Sequence, residues 1–191
     1  MGRSPDSLMN KPAMSQQNDS EHDVTRSGRM MLIFAWVAGI GLLTLLFQGE
    51  LESRFNPNTK PLVQLGPDGL KEVVLERNAQ GHYVADGMIN DTRVTFLIDT
   101  GATDVAIPEA LAERLRLGRQ RGGISQTANG PVAVWQTVLR QVRLGSIELN
   151  DVRAVIVPSM GARDPVLLGM SFLRRLEFSQ RAGQLTLRHA G

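Results

Sequence analysis

Phe96-Leu97-Ile98-Asp99-Thr100-Gly101-Ala102-Thr103-Asp104-Val105-Ala106-Ile107 decides how the rest of this 191-residue chain is read. The apolar run from Val94 to Ile98 has the composition of a buried strand. An acid then stands where a further apolar residue would fit. A carboxylate at the end of a buried strand loses part of its hydration and has to find hydrogen-bond partners. Thr100 offers a hydroxyl, and Gly101 lets the backbone turn tightly and approach other chain. Val105 to Ile107 resumes strand character. Strand, acidic turn and strand together hold a carboxyl group rigidly at the floor of a cleft. Asp-Thr-Gly alone also fits an ordinary strand end with an Asp-Gly turn. The apolar runs on both sides, the Ala-Thr that follows and the helix signal after that favour a functional loop.

Working outward, Pro108 suits the first position of a helix. Leu111 and Leu115 follow Ile107 at helical spacing, and the helix is expected to end near Gly118. Arg114, Arg116, Arg119 and Arg121 read as a solvated face. Gly122-Gly123 to Gly130-Pro131 holds two polar strand fragments around a Gly-rich tip, and Val132 to Leu139 returns with Trp135 expected in the core. Val142–Leu144 and Ile147–Leu149 form a hairpin at Gly145-Ser146, Val152–Val157 is a strongly apolar strand, and Pro158 to Pro165 is a loop. Val166 to Leu168 reads as a buried strand ending at Gly169, and Ser171 to Arg175 as a short helix. Leu176–Phe178 and Gln184–Leu187 make a last hairpin around Ala182-Gly183. On the N-terminal side, Glu72–Glu76 and His82–Met88 are strands, with Tyr83 in the core, and Ile89-Asn90-Asp91-Thr92 turns the chain into the Asp99 strand. Many short strands at regular spacing mean an all-β barrel or sandwich with one or two short helices.

The first seventy residues are different. Residues 1–29 are polar without apolar period and read as a disordered tail. Met30 to Phe47 carries no charge, and a helix of that length rises about 27 Å, near the hydrocarbon thickness of a bilayer. The long polar stretch before it, and Gln48-Gly49-Glu50 after it, fit a cleavable signal poorly. The segment is therefore expected to be a transmembrane helix. Arg26 and Arg29 precede it, and Glu50 and Glu52 follow. The positive-inside rule then puts the N-terminus in the cytoplasm and the rest outside. Residues 48–70 read as a linker, with Ser53 to Pro61 an extended tether, and 71–191 as the domain. The formal net charge of +2 carries no nucleic-acid footprint. There is no cysteine, which excludes disulfides and thiolate metal sites. The three histidines, at 22, 82 and 189, are too dispersed to suggest a triad or metal cluster.

Leu97-Ile98-Asp99-Thr100-Gly101-Ala102 resembles the active-site motif of the retroviral-type, or retropepsin-like, aspartic proteases. Leu167-Leu168-Gly169 resembles the hydrophobic-hydrophobic-Gly motif that closes that fold. Thr127-Ala128-Asn129-Gly130 and Leu168-Gly169-Met170-Ser171-Phe172-Leu173 are similar to the bacterial membrane-anchored branch of the family. The resemblance covers about Gly81 to Arg188. The family's Asn-Gly turn is Asn90-Asp91 here, which leaves the type of that turn open.

The resemblance implies a retropepsin-like closed β-barrel or sandwich that hydrolyses peptide bonds. Asp99, Thr100 and Gly101 would be the catalytic residues. Ala102 and the tip Thr127, Ala128, Asn129 and Gly130 would bind substrate, the tip as a mobile flap. From the residues alone, that tip fits an ordinary surface hairpin equally well. The branch resemblance implies a single-pass inner-membrane protein with its domain in the periplasm.

Aspartic proteases use two carboxyl groups a few ångströms apart that share one proton. The ionised group draws a proton from water, and the protonated one polarises the scissile carbonyl. Neither metal nor other cofactor is required. Only Asp99 is followed by Thr-Gly or Ser-Gly, and about 110 residues are too few for two lobes. The second carboxyl must then come from another copy across a two-fold axis, with Thr100 bracing the two loops. Two other classes stay open. One is a peptide-binding or scaffolding module of the same fold without turnover. The other is a hydrolase using Asp99 as a metal ligand or phosphoryl acceptor, against which Gly101 stands where a second acid of an Asp-x-Asp pair would be.

Overall fold

A computed structural model of the chain describes residues 19–66, 69–127 and 130–189. Residues 1–18 of the expected polar tail lie outside that range. Two compact units are separable, Met1–Gln48 and Gly49–Gly191.

Helix α1 (Asp19–Phe55) is longer at both ends than the apolar run that predicts it. Its window Arg29–Leu46 is long and apolar enough to cross a membrane, and no part of that window is buried. Met31, Phe34, Trp36 and Leu45 are each about 70% exposed or more, on several faces of the helix. The helix ends where Asn56 precedes Pro57, because a residue before proline is driven out of the α region.

The second unit is a β domain. Its strands are β1 (Leu62–Leu65), β2 (Lys71–Glu76), β3 (Val84–Ile89), β4 (Thr92–Ile98) and β5 (Val105–Pro108), then β6 (Gly122–Thr127), β7 (Gly130–Leu144) and β8 (Ile147–Val157), and finally β9 (Val166–Leu168), β10 (Glu177–Arg181) and β11 (Gln184–Arg188). Two short helices, α2 (Glu109–Arg114) and α3 (Met170–Leu173), follow β5 and β9. One sheet runs β3-β4-β9-β5-β8-β7-β6, and a further β3–β7 pairing brings it back on itself. The smaller sheet runs β1-β2-β11-β10. This is an all-β architecture with two short helices and one N-terminal apolar helix, as expected.

Local chemistry explains most of the element ends. Asn90 and Asp91 both take positive φ, 45° and 67°. That is the type I′ turn, whose twist matches the flanking strands. The Asp that replaces the family's Gly therefore keeps the turn. Asn90 Oδ1 also accepts from the Gln141 N–H at 3.0 Å, and the Asn90 N–H donates to the Gln141 carbonyl at 3.1 Å. Pro108 lies one position earlier than expected, as the N-cap of α2 with extended ψ, and α2 ends at Arg114, before Gly118. Arg116 takes φ +51° and turns the chain out. The short strands expected between Val132 and Val157 are two long ones, β7 and β8.

The core sits inside the closed sheet. Phe96, Ile107, Leu139, Leu144, Ile156, Leu168 and Phe172 are fully or almost fully buried. Truncating a buried aromatic such as Phe96 costs about 3–5 kcal/mol. Gly87 makes room for it: a β-carbon there would collide with the Phe96 ring and the Arg143 carbonyl. The strand closure β3–β7 thus depends on a residue with no side chain.

The stretch read as an extended tether is not one. Asn56 and Asn58 are buried, at 7% and 4% exposure. Asn58 Nδ2 donates to the carbonyls of Glu76 and Val84 at 2.9 and 2.8 Å, and its Oδ1 accepts from the Glu76 N–H at 2.7 Å. Its carbonyl accepts from the Asp86 N–H at 3.0 Å. β1, also inside the expected linker, pairs antiparallel with β2. Polar residues after a helix look like linker in sequence, but amide side chains can take the place of a missing strand by bonding two backbones at once.

Candidate active site

β4 and β9 run parallel in register, with Ile98 opposite Leu168. Both strands end at the same level, so Asp99 and Gly169 emerge side by side. The Asp99 N–H donates to the Leu168 carbonyl at 3.2 Å, which fixes where the carboxyl group begins. Asp99 Oδ1 accepts from the Gly101 N–H at 2.9 Å, and the Asp99 carbonyl accepts from the Ala102 N–H at 3.3 Å. This is an Asx-type turn, in which a carboxylate organises its own loop. Asp99 and Ala102 are half-buried, and Thr100 and Gly101 are exposed. The loop therefore presents one oriented carboxyl group beside an exposed hydroxyl.

The far side of the loop is clamped by the start of α3. The Met170 N–H donates to the Ala102 carbonyl at 2.8 Å, and the Ser171 N–H to the Thr103 carbonyl at 2.9 Å. Gly169 is required by space: a β-carbon there would strike the carbonyls of Asp104 and Ala102. Ser171 Oγ accepts from the Val105 N–H at 3.0 Å and donates to the Arg153 carbonyl at 2.7 Å. Asp104 Oδ1 meets Arg153 Nε at 2.8 Å, an ion pair with its arginine about half exposed. Pairs of that kind contribute at most about 1 kcal/mol, so its effect here is to orient the loop.

Ser171 and the Asp104–Arg153 pair were not singled out by sequence. Ser171 stands in the Gly169-Met170-Ser171 string, which carried a resemblance but no role. Arg153 faces Asp104 only because β5 and β8 run parallel, Val105 opposite Ala154.

β6 and β7 form the expected hairpin over residues 122–144, in a register from Gly122↔Trp135 to Thr127↔Gly130. Thr127 ends β6, and Gly130 opens β7 with φ +104°. Ala128 and Asn129, two of the expected substrate-binding residues, lie outside the described residues. Trp135, expected in the core, is 40% exposed on β7 and packs against Gly122 across the hairpin. The base of this hairpin shares its face with strands close to Asp99. Val134, Ala106 and Val157 form a small apolar cluster of their own, with Val132 and Leu167 packed against it.

Tyr83 is buried in the core, as expected. It also lines a cavity of about 220 Å³ with Ile98, Thr100, Leu173 and Phe178. Among the described residues no three His, Cys, Asp or Glu side chains converge as the ligands of a metal would.

The family described as "gag-polyprotein putative aspartyl protease" matches residues 85–175, which contain the Asp99 loop, the hairpin and Gly169. A solved retropepsin-like aspartic protease from Rickettsia conorii superimposes with a TM-score of 0.51 at 25% identity, over 68% of this chain and 95% of that one. Family match and fold together support a retropepsin-like family for this chain. Two curated proteins are similar to this chain in sequence. An uncharacterized protein from the cobV 5′ region of Sinorhizobium sp is 32% identical over 125 residues, covering 63% of this chain and 53% of that protein. An uncharacterized protein of Rickettsia prowazekii (strain Madrid E) is 28% identical over 109 residues, covering 56% of this chain and 46% of that protein. The chain spans about half the length of the curated relatives it matches.

Proposed function

We propose that this chain is a membrane-anchored aspartic endopeptidase whose active site is shared by two copies, each contributing one Asp99. The observation that carries this is the Asp99 loop. Asp99 is half-buried, its carboxyl group accepts from the Gly101 N–H, and its backbone N–H is held by the strand end at Leu168. The next acid along, Asp104, is engaged by Arg153. One oriented carboxyl group per domain is half of a water-activating pair, and a two-fold axis beside Thr100 supplies the other half.

In the pair, one carboxyl is ionised and takes a proton from the attacking water. The other keeps its proton and donates it to the scissile carbonyl oxygen as charge develops there. Thr100 of each copy braces the two loops. Gly101 and Ala102 offer backbone to an extended peptide, and the hairpin tip, Thr127 to Gly130, closes over it by strand addition. Met30 to Phe47 anchors the chain in the inner membrane with the domain on the periplasmic side. Anchoring also raises the effective concentration of the two copies.

The test is subunit mixing with a peptide library as substrate. Asp99→Asn chains should fold and dimerise, because Asn keeps the shape and removes the like-charge repulsion. Mixed in equal amounts and allowed to exchange, wild-type and Asp99→Asn chains should leave about one dimer in four with both acids, from random pairing in a two-fold assembly. Activity that is merely additive, and specific activity that stays constant on dilution into the monomeric range, sink the shared site. Peptides bound but left intact by the wild type indicate a binding module instead.

A further inference from the structure

The outer face of the β3–β4 hairpin carries a groove of about 400 Å³ that does not include the Asp99 loop. Three arginines from three elements line it: Arg93 on β4, Arg114 at the end of α2 and Arg163 in the loop before β9. All three are exposed, and no described residue pairs with them. The two acids at the groove are engaged by the protein itself. Asp86 Oδ1 accepts from Asn56 Nδ2 at 2.7 Å and from Thr95 Oγ1 at 2.9 Å, and Asp164 Oδ2 accepts from the Gly161 N–H at 2.7 Å. Between them Val94, Leu111 and Val166 are buried and form an apolar floor.

The chemistry that fits is a phosphate with an apolar stem. Guanidinium groups meet phosphate oxygens bidentately, and they do so best where several converge from different directions. An acidic peptide would meet the same charges but has no need of the apolar floor. Distance favours a lipid as well. Phe55, which also lines the groove, comes nine residues after Leu46, where the membrane-length window ends. Nine residues reach at most about 30 Å however they are arranged. Arg93 precedes Asp99 by six residues of extended chain, about 20 Å, so the groove and the candidate active site are separate.

We infer that this groove binds the phosphate headgroup of an anionic phospholipid, an inference that rests on the membrane-anchored reading. Each arginine near an anionic surface strengthens binding roughly fivefold, and salt screens the effect.

The experiment uses the full chain in nanodiscs of phosphatidylcholine, with and without phosphatidylglycerol, followed by hydrogen exchange and peptide cleavage. Residues 89–95 and 161–166 should gain protection with phosphatidylglycerol. High salt should erase it, and the combined Arg93→Gln, Arg114→Gln and Arg163→Gln chain should lack it. Single substitutions should raise the phosphatidylglycerol content needed by about fivefold. Cleavage by the triple variant in phosphatidylcholine should equal wild type, so the protease reading stands or falls separately. Equal protection in both lipids, or protection kept by the triple variant, overturns the inference. So does protection from inorganic phosphate alone or from an acidic peptide in phosphatidylcholine, either of which assigns the groove to that ligand. A chain that fails to co-elute with nanodiscs overturns the anchored reading and the lipid site together.

Discussion

A single hydroxyl, on Ser171, joins two strands beneath the Asp99 loop. It is 4% exposed, accepts from the Val105 N–H and donates to the Arg153 carbonyl. Removing it leaves one buried backbone donor and one acceptor without a partner, each costing about 1–3 kcal/mol. Ser171→Ala should therefore lower stability by roughly 2–6 kcal/mol, measured from the urea midpoint at unchanged slope, on the same principle. Ser171→Thr keeps the hydroxyl and should recover part of the loss. A loss under about 0.5 kcal/mol for Ser171→Ala, the size of an ordinary surface substitution, would mean that the bonds through Ser171 do not hold the loop. Gly169 shows the other residue-scale constraint. Its neighbours are backbone carbonyls, which cannot move aside as a flexible side chain would. The hydrophobic-hydrophobic-Gly motif is thus a requirement for close approach between β9 and the Asp99 loop.

Among the elements, the least expected is the buried segment after α1. Asn58 makes three side-chain hydrogen bonds to the backbones of β2 and β3, and an isolated bridge pairs it with Ala85. Asn78 Nδ2 adds a bond to the Phe55 carbonyl at 2.9 Å. The segment acts as a strand built from one residue. Asn58→Ala removes all three side-chain bonds at a buried site, so it should cost roughly 3 kcal/mol or more. It should also expose residues 56–61 to limited proteolysis, while Lys60→Ala, on an exposed neighbour, should not. Equal protease resistance in the Asn58→Ala and wild-type chains would mean that β1 and the helix end hold the segment without it. The turn at Asn90-Asp91 is the opposite case. There the local sequence suffices, because Asn and Asp adopt positive φ at little cost.

For the whole molecule, the questions are where the domain lies and how many copies it needs. The charges around the apolar window, Arg26 and Arg29 before it and Glu50 and Glu52 after, motivate a cytoplasmic N-terminus. A reporter active only outside the cytoplasm, fused after Gly191, should be active in cells. Silence from that fusion, with signal from a cytoplasmic reporter in the same place, reverses the topology. The apolar window is long enough to cross a membrane and has no buried residue in the chain by itself.

The sequence by itself determined the all-β domain, its two short helices, the acidic loop between apolar strands and the apolar helix before it. Each of these rests on local pattern: periods of two, a run without charge, turn residues at fixed places. Only the tertiary structure decided which strands are neighbours. The β4–β9 pairing sets Asp99 beside Gly169, and the β3–β7 pairing closes the sheet. Trp135 falls on the hairpin and not in the core, and Asn58 is buried and not part of a tether. Arg93, Arg114 and Arg163 share one groove although the sequence separates them widely. Contacts of this kind join residues tens of positions apart. Their free energy depends on the closure of the whole sheet and leaves no period in the local sequence.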